Sequence, residues 1–337
     1  NMKPHIIVFT NIFRDQLDRY SEIDALLNII ETSLEKSYDT VLLINADDPS
    51  LVNLGERLPH VKYFYGIETA IDMGSQDLAV DSVFCKKCGH RLDYEHYYYG
   101  QLGHYTCNKC GFKRPIPDFQ ALIEDNKGKR KLIVQNKDTD FKIQVDIDSS
   151  DTYSIYNMLA AISCGALMGT ASETVSRGLE SYRPQLGRME KFYIQKPITL
   201  NLAKNPVGFN ESMKIVSQDV NIKTVAIGIN DLPQDGLDVS WLWDTNFEIL
   251  LETDDAIENY IVFGWRRYDM ALRLKYAGID PDKVTIAENI EDAVESIVKG
   301  ASEAGYILLN YSLLFDTQKI LKGRNEDAKA NPVPSVS

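Results

Sequence analysis

Two cysteine pairs constrain this chain more than anything else in it: Cys85 and Cys88, then Cys107 and Cys110, spaced C-x2-C, eighteen residues, C-x2-C. That spacing reads as a four-thiolate zinc site. Zn²⁺ takes four ligands tetrahedrally at about 2.3 Å from sulfur, and four protein ligands leave no open position, so the metal is expected to be structural. Such a site supplies roughly 10–16 kcal/mol of folding free energy, enough to hold a short ribbon that has no core of its own. Two disulfides are the alternative, but nothing else in the chain reads as secreted. We therefore expect a zinc-ribbon insert over about 80–115, with Gly89 and Gly111 closing its two knuckles.

The host is α/β. His5-Ile6-Ile7-Val8-Phe9-Thr10 is an apolar run of strand length without polar alternation, as expected of a parallel sheet covered on both faces. A helix should follow, with Ser21 and Asp24 as a capping box and Ile23, Leu26, Leu27, Ile30 and Leu34 on one stripe. Val41 to Ile44 is the next strand, 61–65 another, and Lys131–Val134 with Phe141–Val145 a hairpin around Asp138. Helices are expected from Tyr156 to about Met168 and from Ala171 to Ser181. The first two strands both run into Asn/Asp-rich loops, at Asn11 to Asp15 and at Asn45-Ala46-Asp47-Asp48. In open α/β sheets ligands bind at the carboxyl ends of the strands, although acidic loops also serve simply to cap the next helix.

Composition resets near 193. Strands at 198–202, 224–229, 260–263, 284–286 and 306–309 alternate with helical patterns near 211–217, 268–277, 290–298 and 312–321, which reads as a second, doubly wound unit. The tail from Glu326 to Ser337 lacks periodicity. We expect a first domain over 1–193 and a second over 194–337.

With 337 residues and a formal net charge of −13, nucleic-acid binding is disfavoured as the main role. The ribbon is locally basic (Lys86, Lys87, Arg91, Lys109, Lys113, Arg114), which we read as self-solvation. No apolar run approaches the ~18 residues of a membrane span, and no signal-peptide pattern is present. The cytoplasm is the expected compartment. Histidine is scarce, five in all with none beyond His104, so a self-contained Ser–His or Cys–His nucleophile is not expected. The second domain instead offers carboxylates (Asp231, Asp235, Asp238 and Asp244) around Val239-Ser240-Trp241-Leu242-Trp243. This pattern fits either a core-facing tryptophan pair with solvated acids or an edge that a partner covers.

Thr10-Asn11-Ile12-Phe13-Arg14-Asp15-Gln16-Leu17-Asp18-Arg19-Tyr20, then Asn45-Ala46-Asp47-Asp48-Pro49, Tyr156-Asn157-Met158-Leu159-Ala160-Ala161 and Gly187-Arg188-Met189-Glu190 together resemble the central domain of the Mur ligase family. The four-cysteine ribbon, Lys204-Asn205-Pro206-Val207-Gly208-Phe209-Asn210-Glu211 and Asp238-Val239-Ser240-Trp241-Leu242-Trp243-Asp244 resemble one branch of it, the MurT-type subunits of lipid II isoglutaminyl synthase. The resemblance implies a central ATPase domain carrying the ribbon and a C-terminal Rossmann-like domain. It also implies an ATP- and Mg²⁺-dependent synthetase that activates the α-carboxylate of D-glutamate in lipid II as an acyl phosphate. Ammonia would come from a class I glutaminase subunit bound as a heterodimer, with the work done at the inner face of the cell membrane.

On that resemblance Asn11, Asp15, Asn45, Asp47, Asn157 and Arg188 would line the nucleotide, and Lys204 would meet the transferred phosphoryl group. Asp238, or failing it Asp244, would complete the partner's Cys–His pair. Amino-acid-adding relatives carry His where this chain has Gln16 and Asn where it has Ser154, and no lysine here suits their carbamate, which favours amidation. The family's phosphate loop and magnesium-binding glutamate would precede Ile6. From Asn1, which is not an initiator methionine, we expect that an N-terminal piece is missing, and that ATP binds poorly to the chain as it stands. The alternatives are a stand-alone Mur- or folylpolyglutamate-type ligase and a non-catalytic ribbon scaffold.

Overall fold

The computed structural model describes residues 3–13, 23–70, 83–126, 129–147, 152–182 and 187–330. These fall into two compact units, the first reaching Tyr182 and the second taking up the rest from 187 on.

The first unit is built on a six-stranded sheet. Its strands are β1 (Ile6–Phe9), β2 (Val41–Asn45), β3 (Lys62–Ile67), β6 (Phe119–Asn126), β7 (Lys129–Asn136) and β8 (Lys142–Ile147), in spatial order β1-β2-β3-β6-β7-β8. The first four are mutually parallel and the last three antiparallel. The burial of the two parts follows the sequence. Apolar β2 is buried along nearly its whole length, whereas Lys-Ile-Gln-Val-Asp-Ile of β8 alternates strictly between exposed and buried, one face wet. Helices α1 (Ile23–Leu34) and α2 (Pro49–Arg57) bury Leu27, Leu34, Leu51, Leu54 and Leu58 against Leu42 and Ile44. α3 (Thr152–Leu167) and α4 (Ser172–Ser181) follow the sheet. The capping box expected at Ser21 lies outside the described residues. Cys164, on α3, is partly buried.

Parallel neighbours need a crossover connection, ordinarily a helix. Between β3 and β6 that crossover is the ribbon, which carries its own hairpin of β4 (Asp93–Tyr99) and β5 (Leu102–Thr106). The two knuckles are built alike. Gly89 N donates to Cys85 O at 2.8 Å and Gly111 N to Cys107 O at 2.9 Å. Both glycines have φ near +70°, a region that side-chain-bearing residues avoid. A single bridge flanks each knuckle, Phe84 with Arg91 and Thr106 with Lys113. Leu92, Tyr105 and Phe112 form the ribbon's small core, which packs on Val52 of α2.

The second unit has β9 (Glu190–Ile194), β10 (Lys196–Leu202), β11 (Lys223–Gly228), β12 (Ile257–Phe263), β13 (Val284–Ile286) and β14 (Ala304–Leu309), in the order β13-β12-β11-β14-β10-β9. All are parallel except β9. Helices α5 (Pro206–Gln218), α6 (Arg267–Tyr276), α7 (Ile290–Lys299) and α8 (Tyr311–Ala330) accompany the sheet. Two apolar clusters form the core, one including Leu200, Ile261, Ile297 and Leu314, the other Phe209, Val225, Phe247 and Met270. This is the doubly wound arrangement expected, with the strand order reversing between β11 and β14. The sheet takes in β9, which ends at the composition change. α8 continues to Ala330, so the helix runs into the stretch read from sequence as aperiodic. No helix of the described residues is long and apolar enough to cross a membrane.

Candidate functional site

In the first unit the end of β3, the end of the ribbon and α3 converge on one carboxylate in the loop after β2, Asp47, which is fully buried. Its Oδ2 accepts from Ile67 N at 3.0 Å and from the Tyr156 hydroxyl at 2.6 Å, and its Oδ1 from Arg114 Nε at 2.5 Å. Arg114 also reaches Glu68 at 2.9 Å and donates to Ile67 O at 3.0 Å. Burial opposes the guanidinium charge, but Asp47 and Glu68 outweigh it and hold Arg114 firmly protonated. Burial, with Asp47 beside it, pushes the Tyr156 phenol well above its ordinary range, so it stays a donor. Gly66 makes room for this contact, since a Cβ there would lie 2.6 Å from Arg114 Nη2 and 2.9 Å from Asp47 Oδ1.

Asp48, also fully buried, ties the loops to one another. Its Oδ1 caps α2 through Ser50 N and Leu51 N, and its Oδ2 accepts from Ile12 N and from Gln101 Nε2 at the tip of the ribbon hairpin. Burial raises its pKa to about 6, the four N–H donors holding back a larger rise. Asn45 is equally buried and bridges β2 to β1, donating to Thr10 O at 2.8 Å while accepting from Asp47 N.

The nucleotide residues expected from the sequence therefore divide. Asn45 and Asp47 spend their polar atoms on holding the loops. Asn157 is exposed on α3, and Asn11 makes a long 3.4 Å contact with the Tyr99 hydroxyl. Asp15 lies outside the described residues. Arg188 belongs to the second unit, exposed in a turn where Gly187 and Met189 both have positive φ. A left-handed methionine is uncommon. Met189 N donates to Asn201 Oδ1 and Arg188 Nη1 to Leu202 O, which fixes the turn.

Also in the second unit, Lys204 is half-buried between β10 and α5, next to Asn205, whose side chain caps that helix through Gly208 N. The loop after β11 carries the four aspartates. Asp231 pairs with Arg266 at 2.6 Å, and Asp235 is buried, accepting from Ser312 N. Asp238 is half-buried, its Oδ1 accepting from Ser240 N at 2.8 Å and its Oδ2 from the Ser240 hydroxyl at 2.9 Å. Asp244 is exposed at the end of the short 3-10 turn Ser240–Trp243. The tryptophans part company. Trp241 packs on Phe209 in the core, whereas Trp243 is 54% exposed against Tyr276, so only one of the two faces the core. A cavity of about 770 Å³ opens beyond β11 to β14, with Trp265, Arg267, Glu288 and Lys319 among its lining.

The family model described as MurT ligase C-terminal matches residues 202–314. The chain is 31% identical over 329 residues to the lipid II isoglutaminyl synthase (glutamine-hydrolyzing) subunit MurT of Streptococcus pneumoniae, covering 96% of this chain and 71% of that protein. It belongs to the MurT family. The subunit of the same name from Staphylococcus aureus (strain COL) is 37% identical over 279 residues, 82% of this chain and 61% of its own length. Among solved structures, a pseudomurein peptide ligase type C from Methanothermus fervidus superposes with a TM-score of 0.70 at 22% identity, over 94% of this chain and 63% of that one. MurF ligase from Thermotoga maritima in complex with ADP gives 0.60 at 12% identity, over 96% and 63%. The chain thus shares the Mur-ligase-like α/β fold of these two structures.

In this MurT-family chain the four cysteines fit a zinc ion. Their sulfurs all lie within 4.8 Å of one another, with Cys85 to Cys110 and Cys88 to Cys107 both at 3.5 Å. Tetrahedral Zn–S bonds of about 2.3 Å place sulfurs about 3.8 Å apart. The ribbon's basic residues are a solvated face only in part: Arg91, Lys109 and Lys113 are exposed, but the other three are not spent that way. Lys86 pairs with Asp24 and Lys87 with Glu56, both on the helices of the first unit, and Arg114 is buried on Asp47.

Sequence reasoning also passed over Arg273, on α6. Its side chain is 5% exposed and donates to Leu242 O, Thr245 O and Glu248, fixing the segment that carries Trp243 and Asp244. Its spacing on an amphipathic helix gave no hint of this.

Proposed function

We propose that this chain is the ATP-dependent synthetase subunit of a glutamine-dependent amidotransferase in peptidoglycan synthesis, converting the D-glutamate of lipid II to D-isoglutamine. A carboxylate oxygen attacks the γ-phosphorus of Mg²⁺-bound ATP and ADP leaves. Ammonia then attacks the acyl carbon, phosphate departs and a proton is lost. We read 1–193 as the nucleotide domain, where Asn11, Asp15 and Asn157 with Arg188 contact ATP and the buried Asn45 and Asp47 set the loops. In 194–337, Lys204 meets the phosphoryl charge, a role suited to a fixed cation in a water-poor site. The zinc is structural, and the enzyme works in the cytoplasm at the membrane's inner face. Membership of the MurT family and the fold shared with ADP-binding MurF support this reading.

The observation that carries it furthest is Asp238. A partner glutaminase needs a carboxylate to fix the tautomer of its catalytic imidazole and to stabilise the imidazolium formed. Asp238 is held by both donors of Ser240 beside exposed Leu237, with exposed Trp243 on the same loop. Each oxygen keeps a lone pair for an incoming N–H. An exposed tryptophan of this kind suits the core of a partner surface.

The test mixes the chain with a class I glutaminase of the isoglutaminyl-synthase type and follows glutamate release from glutamine. We expect stimulation by the wild type and its loss in Asp238→Asn, which the Ser240 hydroxyl can tolerate by turning to donate or accept. Loss in Asp244→Asn instead would move the role to that residue. No stimulation and no complex, from a zinc-loaded folded chain, would refute the amidotransferase reading.

A further inference from the structure

The ribbon hairpin carries a second group of ligating side chains that the zinc knuckles do not use. Glu95, His96 and His104 each offer one ligand atom, and these atoms all lie within 4.8 Å of one another. Consecutive strand residues normally point to opposite faces of a sheet, so Glu95 and His96 should not converge. Here they do because the β4–β5 register slips. Tyr94 faces Tyr105 and His96 faces His104, which leaves Glu95 as an extra residue. Bulges of this kind re-aim a side chain, and this one brings Glu95 Oε1 to 4.0 Å from His96 Nε2. His96 and His104 are a cross-strand pair with ring centroids 5.0 Å apart.

The tautomer of His104 is fixed. Its Nε2 lies 2.7 Å from Ile67 O, an atom that can only accept, so Nε2 carries the proton. The Tyr98 hydroxyl, 3.2 Å from the same nitrogen, has carbonyl acceptors in Ile67 and Thr69. The unprotonated Nδ1 is thereby left with a lone pair to offer a metal ion. A histidine that gives its other N–H to a backbone carbonyl is the usual outer-shell arrangement of a metal-binding imidazole. The exposed Glu95 and part-exposed His96 can close the remaining distance by rotation, since the group needs to contract only to the roughly 3–3.5 Å between neighbours on a tetrahedral ion.

We propose that Glu95, His96 and His104 bind a divalent transition-metal ion, with zinc the natural occupant, at a site separate from the four cysteines. Two imidazoles and one carboxylate make a three-ligand set with one coordination position left for water or an outside ligand. The ion ties the two strands of the hairpin together through His104, whose other ring nitrogen is hydrogen-bonded to Ile67, the last residue of β3. It therefore braces the ribbon where the crossover leaves the sheet.

The experiment is zinc titration of the metal-stripped and refolded chain, with bound metal counted after desalting. Cobalt(II) is then used in place of zinc to separate thiolate-bound from imidazole-bound metal by absorption. The wild type is expected to bind a second equivalent that shows no sulfur-to-cobalt charge transfer. His96→Ala and Glu95→Gln, both at exposed or part-exposed positions, should lose that equivalent and keep the thiolate-bound one. His104→Gln should do the same, and the surviving thiolate spectrum reports that its ribbon is folded. A wild type that saturates at the thiolate equivalent, or a second equivalent that survives His96→Ala and Glu95→Gln, would overturn the proposal.

Discussion

Arg114 Nε lies 2.5 Å from Asp47 Oδ1, a contact that joins the end of the zinc ribbon to the loop after β2. The carboxylate is fully buried and the guanidinium side chain only 10% exposed. Removing one partner of such a pair leaves an uncompensated buried charge, which costs about 3–5 kcal/mol. Arg114→Met should lower the stability of the first unit by that order in urea unfolding. Gly66→Ala should act in the same direction by about 1–3 kcal/mol, by wedging a methyl group between the partners.

Metal removal should act locally. With zinc stripped, hydrogen exchange is expected to accelerate at Tyr98, Tyr105 and Ile67, while β11 and β14 of the second unit keep their protection. Cys107→Ser should reproduce the effect without a chelator. Equal loosening of β11 would show that the ribbon supports more than its own unit.

Asp48 predicts a pH dependence. Its folded pKa, about 6, lies above the ordinary 3.8, so the folded state binds the proton more tightly than the unfolded chain does. The stability this contributes is complete below about pH 4 and is lost as pH rises to about 6. Asp48→Asn should flatten that slope, measured as the urea midpoint from pH 4 to 7, while lowering stability throughout because an amide cannot accept four N–H groups.

Arg273 should matter for any partner that reads the loop at 238–244. Arg273→Met deletes donors to Leu242 O, Thr245 O and Glu248 and should cost about 2–4 kcal/mol. Glutaminase stimulation should fall in this variant although Asp238 is untouched. Stimulation at the wild-type level would show that the segment holds its shape without the guanidinium.

The cysteine spacing and the unbroken apolar runs made the ribbon, the parallel sheets and most strand positions legible, because metal geometry and two-sided burial each impose a pattern on neighbouring residues. The site was less legible. Nothing local distinguishes Arg114 from the solvated Lys113 beside it, since the partner that buries it lies 67 positions away. Trp241 and Trp243 share a motif, yet a 3-10 turn sends one inward and the other out. The family resemblance assigns Asn45 and Asp47 to the nucleotide; that they are fully buried and brace the loops depends on partners distant in sequence. Glu95 joins His96 only through a register slip that no sequence pattern announces.

Finally, the crossover between β3 and β6 has a consequence for how the chain reaches its native state. Two parallel strands separated by a long loop must meet before either gains from pairing, and closing that loop is an entropic cost. A helix would recover part of it through local hydrogen bonds. Here the loop would be shortened by the metal ion that the four cysteines are suited to hold. The rate at which the first unit matures should therefore follow free zinc during synthesis, and metal scarcity would thin the supply of finished molecules while leaving the chemistry of each one unchanged.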